Sequence, residues 1–146
     1  MDFFTAIKIS GSGLSAQRYR LNIISSNLAN IQTTRTPQGG PYRRKDVVFE
    51  AVPIVSSFDR TLSDAMRSTL DGVRVQRVIN DPTPFKLVYD PGHPDADKNG
   101  YVKMPNVNTV EEMVNLINAT RSYEANIAAI DAAKNMALKA LEIANR

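Results

Sequence analysis

The chain contains no cysteine and no tryptophan, a single histidine, and only 7% aromatic residues in its 146 positions. Without cysteine there are no disulfides, no thiolate nucleophile and no cysteine-type zinc site. The one histidine, His93, stands between Gly92 and Pro94 in turn chemistry and has no partners spaced for catalysis, so it reads as a solvated turn residue. Long apolar runs are missing as well. No stretch reaches the ~18 residues that a membrane-crossing helix needs. The opening MDFFTAIKISGSG has a short apolar run broken by Lys8 and does not read as a cleavable secretory leader. Charge is nearly balanced, at a net +3, which by itself does not call for a nucleic acid. The basic cluster Arg43-Arg44-Lys45 lacks interleaved aromatics and is read as a loop meeting an acidic neighbour in an assembly, not as a phosphate contact. No glycine-rich phosphate cradle and no nucleophile–base pair is present. The expectation is a protein with no catalytic residues, no metal and no cofactor.

What the chain does have is a heptad stripe at each end. Near the start, Phe3, Ile7, Leu14, Leu21, Ile24, Leu28 and Ile31 keep alternating four- and three-residue steps once Ser10 and Gln17 fill the gaps. Near the end the same beat runs through Met113, Leu116, Tyr123, Ile127, Ile130, Ala137 and Leu141, with Thr120 and Lys134 as fillers. A 3.5-residue apolar period keeps one seam of a helix against a partner helix. Residues 2–31 therefore read as one helix, with Asp2 as its N-cap. A second helix runs from about 109 to 144, capped by Asn108 or Thr109, with Glu111 or Glu112 placed to complete a capping box. The SGSG of residues 10–13 is unusual inside a helix, because each glycine costs about 1 kcal/mol relative to alanine there. It signals either a kink or the close approach of a neighbour. With much of the chain poor in aromatics, the terminal helices are expected to order fully only when subunits meet.

Between the helices the signals change. TPQGGPYRRK is turn chemistry, and the β-branched runs DVVFEAVPIV, GVRVQRVI, FKLVY and GYVKM read as short strands. Pro53, Pro82, Pro84, Pro91 and Pro94 confine them to edges or hairpins. The stretch 56–72 is compatible with a helical turn or a loop. Asp95-Ala-Asp97-Lys-Asn99-Gly100 imitates the opening of a calcium loop, but the twelfth position, which must supply a bidentate glutamate, is Asn106. Pro91 and Pro94 also deny it an entering helix, so it is read as an acidic turn. The glycosylation triplet Asn118-Ala-Thr120 falls within a helix and is read as chance. The division that follows is a discontinuous helical module from 1–34 and 106–146, with a β-rich middle region over 35–105. The fold class is α+β, mainly α.

Three blocks carry a family resemblance: SGLSAQRYRLNIISSNLANIQTT (12–34), GGPYRRKDVVFEA (39–51) and GYVKMPNVNTVEEMVNLINATRSYEANI (100–127). Together they resemble the axial proteins of the bacterial flagellum, the rod and hook family. The short length and the block DPGHPDADKNGYVKMPNVN are most similar to its C-type proximal rod branch; residues 55–72 match no family pattern. The resemblance implies that the terminal helices pair as an antiparallel coiled coil and stack helically into a tube. It also implies family-motif roles for Asn27, Leu28, Ala29 and Asn30 at the end of the first helix, and for Glu111, Glu112, Arg121, Tyr123 and Glu124 in the second. The Asn side chains would cap the first helix and bond the linker backbone. Further implications are a periplasmic rod position in the basal body, export by the flagellar type III apparatus without cleavage, and partners among other rod subunits and the adaptor at the membrane ring. Phe49 is the one candidate for an export signal. The function so implied is a structural, self-assembling subunit that transmits motor torque to the hook; another axial rod or hook subunit, or a soluble coiled-coil adaptor, is the alternative.

Overall fold

The computed structural model describes residues 3–54 and 70–144. Helix α1 runs Phe3–Ala29, strands follow at β1 Lys45–Pro53, β2 Asp71–Asn80, β3 Lys86–Tyr89 and β4 Tyr101–Met104, and α2 runs Thr109–Ala144. The architecture is two long terminal helices paired antiparallel with a small β insert between them in sequence. All four strands fall on the β-branched runs. They form two separate two-stranded sheets, β1 with β2 and β3 with β4, so every strand among the described residues is an edge strand. That is the arrangement tolerant of neighbouring prolines. The β3–β4 pair is antiparallel with Lys86 opposite Met104 and Tyr89 opposite Tyr101, the latter two rings meeting edge to face. The β1–β2 pair is bonded at its two ends, Ile54 N–H to Leu70 O and Asp81 N–H to Arg44 O, which sets those strands antiparallel as well.

Local chemistry explains where the helices stop. The Asn30 amide donates to the Ser26 carbonyl at 2.8 Å, and Asn30 accepts from the Thr33 hydroxyl, so the last turn of α1 is tied off by side chains. Ile31 consequently lies in the turn beyond the helix. Asp2, expected as the N-cap, and most of 56–72 lie outside the described residues. At the start of α2, Asn108 is the cap: its Oδ1 accepts from Val110 N–H at 3.1 Å, and its carbonyl takes the first helical bond, from Glu112 N–H. Glu112 does not reciprocate as in a capping box. Its side chain is turned inward, and Glu111 is exposed. The TPQGGPY turn needs both glycines, since Gly39 and Gly40 sit at φ 87° and 77°, where a Cβ would strain the backbone.

Two compact units share the chain, each using both helices. Unit 1 draws on the described residues of 1–19, 49–76 and 119–146; unit 2 consists of 20–48 and 77–118. In unit 1, α1 meets α2 where Gly13 faces Asn126; in unit 2, where Asn27 bonds Glu112. The core is lean. Its buried apolar side chains include Ala16, Ile24, Tyr42, Val102, Ala119 and Ala133, with Pro105 buried as well.

Candidate functional site

In unit 2 the largest fully buried side chains include a carboxylate and an amide, Glu112 and Asn27. Burying such groups is costly unless every polar atom finds a partner. Asn27 finds four. Its Nδ2 donates to Lys45 O at 2.8 Å and to Glu112 Oε2 at 3.0 Å, while its Oδ1 accepts from Tyr42 O–H at 3.0 Å and Lys45 N–H at 3.0 Å. The end of α1 is thereby stitched to the first backbone unit of β1 and to the first turn of α2. The other Glu112 oxygen accepts from Arg44 Nε at 2.8 Å. A carboxylate in the first turn of a helix is also favoured by the helix dipole.

Arg44 gathers the remaining elements. Its Nη1 lies 3.3 Å from both Asp46 Oδ2 and Asp81 Oδ2, and its backbone N–H donates to Asn106 Oδ1 at 2.8 Å. Burial works against its charge as the largest single influence. The Glu112 hydrogen bond and the fields of Glu112 and Asp46 together outweigh it, so the pKa is raised further above its ordinary value. The Asp81 carboxyl is held below the ordinary carboxylate range, first by the Thr83 backbone N–H and then by the Thr83 hydroxyl, against some burial, with Arg44 adding to the effect. Arg43 donates to the Asp81 carbonyl at 2.9 Å and stacks 4.4 Å above the centre of the Phe85 ring. Lys45 Nζ lies 5.7 Å from the Tyr42 ring centre. The acidic neighbours of this basic cluster thus come from its own chain.

Unit 1 is joined differently, by small residues. Ser12, within the SGSG stretch, donates from Oγ to Ile9 O at 2.7 Å and accepts from Val73 N–H at 3.0 Å, linking α1 to β2. A Cβ on Gly72 would come within 2.7 Å of Ile54 Cδ1 and 2.9 Å of Ser12 Oγ. A Cβ on Gly13 would come within 2.9 Å of Asn126 Oδ1, whereas one on Gly11 would meet nothing within 4 Å. Close approach accounts for Gly13 and not for Gly11. Beside this junction lies an open groove of about 660 Å³ whose lining includes Ala16, Tyr19, Ile54 and Val73, with Lys8 and Arg18 among its cations.

The heptad residues divide between buried and exposed positions. On α1, Ile24 is buried and Phe3, Ile7, Leu14, Leu21 and Leu28 are half-buried, as is Ile31 in the turn. On α2, Leu116, Tyr123, Ile130 and Ala137 are half-buried, but Met113, Ile127 and Leu141 are 52%, 40% and 61% exposed. The least exposed positions of α2 instead include Glu112, Leu116, Ala119, Tyr123, Asn126, Ile130, Ala133 and Ala137. That set also steps by four and three, one residue away from the larger apolar set at alternate places. Leu116, Tyr123, Ile130 and Ala137 belong to both sets; at the alternate places small or polar side chains, Glu112, Ala119, Asn126 and Ala133, turn inward, and Met113 and Ile127 beside them stay exposed. Of the family-motif residues, Asn27 and Glu112 come together; Ala29, Glu111, Arg121 and Glu124 are exposed, and Leu28, Asn30 and Tyr123 are half-buried. Phe49 is a half-buried residue of β1. In the acidic turn, Asp97 Oδ1 accepts from Asn99 and Tyr101 N–H, and Asp95 accepts from the Thr34 hydroxyl; His93 Nδ1 accepts from Asp95 N–H. Gly72 was not among the residues the sequence pointed to, and Ser12 stood out only as part of the SGSG stretch, with no role of its own.

Most of the two paired terminal helices, with Asn27 on one and Glu112 on the other, is what two family matches cover. The family described as "Flagella basal body rod protein" matches residues 7–35. That described as "Flagellar basal body rod FlgEFG protein C-terminal" matches residues 98–143. These define the class, an axial protein of the bacterial flagellum. Over its whole length the chain is similar to proteins named flagellar basal-body rod protein FlgC. It is 46% identical to that of Borreliella burgdorferi across 98% of both chains, and 45% identical to that of Bacillus subtilis across 98% of this chain and 99% of the other. It is 46% identical to that of Salmonella typhimurium across 98% of both. The chain belongs to the FlgC family of flagellar basal-body rod proteins and is a structural subunit of the flagellar basal-body rod.

Proposed function

We propose that the subunit stacks with copies of itself and with sibling rod proteins through the outward faces of its two helices, and that the resulting periplasmic shaft passes motor torque to the hook. The observation carrying this reading is the outward set of large apolar side chains on α2, among them Met113, Ile127, Met136 and Leu141. A helix that turns Ala119, Asn126 and Ala133 inward between its larger inward residues, and leaves Met113, Ile127, Met136 and Leu141 exposed, is suited to further helix contacts. The Asn27–Glu112–Arg44 network suits the mechanical part, because fully satisfied buried polar networks rigidify the elements they join. The rod is further proposed to meet the adaptor at the membrane ring. The subunit is proposed to reach the rod unfolded, through the flagellar type III export apparatus. Phe49, half-buried once β1 forms, would act as a signal only before folding, and Phe49→Ala should lower the exported amount several-fold if it does. No catalytic role is proposed.

The test is a chromosomal deletion complemented by the wild-type chain or by a chain with Met113, Ile127 and Leu141 all changed to Ser. The deletion strain should lack rods and fail to swim. The triple variant should fold but complement poorly. Swimming by the deletion strain, or full complementation by the triple variant, would overturn the proposal.

A further inference from the structure

The groove of unit 1 and the first two turns of α2 are complementary surfaces. The groove, about 660 Å³, combines apolar side chains with the cations Lys8 and Arg18. All three charged residues of α1 are basic, Lys8, Arg18 and Arg20, and the helix carries no carboxylate from Phe3 to Ala29. Lys8 and Arg18 have no ion-pair partner among the described residues. On α2, Val110, Met113, Val114 and Ile117 are all more than half exposed. Their spacing places them on one side of a helix, as a contiguous patch. Within residues 110–117 the one exposed charge is Glu111, since Glu112 is buried; the exposed Arg121 follows one turn beyond Ile117. A cationic groove with an apolar lining and an apolar patch with one carboxylate form a matched pair.

We propose that the groove of one subunit receives the Val110–Ile117 patch of a second copy, with Glu111 set against Lys8 and Arg18. This rests on the self-stacking reading above and names the two surfaces that perform it. Groove and patch are different surfaces, so the contact is head-to-tail and continues from copy to copy instead of closing on a two-fold axis. Charge disfavours the symmetric alternatives: patch against patch opposes Glu111 to itself, and groove against groove opposes two pairs of cations.

The absence of native cysteine makes the test direct. Two differently tagged full-length chains, one with Ser15→Cys in the groove and one with Val114→Cys in the patch, are expressed together in the deletion strain, and isolated basal bodies are oxidised. A disulfide dimer carrying both tags is expected, at least tenfold above either same-tag dimer. Adding Glu111→Lys to the second chain should cut its yield several-fold, and adding Arg18→Glu to the first should restore it. A dominant Val114→Cys same-tag dimer would assign the patch to a symmetric contact and overturn the proposal. So would the absence of any mixed dimer when both chains are present in the basal bodies, which leaves the rod reading intact. If neither chain nor the wild type is found in basal bodies, the rod reading fails, and this contact with it.

Discussion

The two units use the same pair of helices and hold them by opposite means. In unit 2 the helices meet through long polar side chains: Asn27 and Glu112 bond directly and recruit Tyr42, Arg44 and Lys45 from the chain between them. In unit 1 they meet through what is missing, with Gly13 against Asn126, and Ala16, Ala119 and Ala133 buried. A polar knot is directional and tolerates few substitutions, so it fixes register. A small-residue face has little directionality but lets helices come close and leaves room outside for a groove. Unit 2 locks its helices with a directional network and carries the exposed Val110–Ile117 patch, whereas unit 1 leaves an open groove beside its helices.

Breaking the knot should have the largest effect. Glu112→Ala leaves Arg44 short of its shortest ion pair and one of the two Asn27 amide hydrogens without its acceptor, and removal of one partner of a buried pair costs about 3–5 kcal/mol. Asn27→Ala strands several buried polar groups at roughly 1–3 kcal/mol each. Denaturant unfolding should show both losses. Ser12→Ala in unit 1, which removes the solvent-accessible bond to Val73 N–H, should cost about 0.5–1.5 kcal/mol.

Acid sharpens the same contrast. The Asp81 carboxyl has a folded pKa below its unfolded value, so the stability it contributes is complete above about pH 4 and is lost as the pH falls through the depressed folded value. Unit 2 amides should therefore lose hydrogen-exchange protection on acidification before those of unit 1, and Asp81→Asn should reduce that pH dependence. An unchanged acid profile in the variant would assign the effect to other carboxylates.

The smallest effects belong to the glycines of α1. Gly11→Ala meets open space and should stabilise the helix by about 0.5–1 kcal/mol. Gly13→Ala gains the same helix propensity but must displace the Asn126 amide, which is held by the Ser122 carbonyl at 2.8 Å. Its melting temperature should fall below that of Gly11→Ala.

Much of this architecture could be read in advance, and the failures share a cause. β-Branched runs between prolines and glycines located all four strands, since the signals that make and break short strands are local. The two helices were equally plain, apart from an overrun at Ile31, because the Asn30 and Thr33 bonds that stop α1 involve side chains whose geometry the pattern does not carry. The inward face of α2 was less legible. Heptad reading follows large apolar residues, so Met113, Ile127 and Leu141 drew attention, whereas Ala119, Asn126 and Ala133 take the close positions. Asn27 and Glu112 stood within recognisable motifs, but they are 85 residues apart, and nothing local says that they bond. Ser12 was hidden for a similar reason, its partner Val73 being 61 residues away.

The central claim is that the large residues facing out from α2 are covered by other subunits in the rod. Single cysteines at Met113, Ile127 and Leu141, probed with a small maleimide, test it most directly. Each should label rapidly in the isolated subunit and at least tenfold more slowly in purified basal bodies, while a cysteine at Lys98 in the exposed acidic turn serves as a comparison site. Equal labelling of all three helix positions in both preparations would contradict the account.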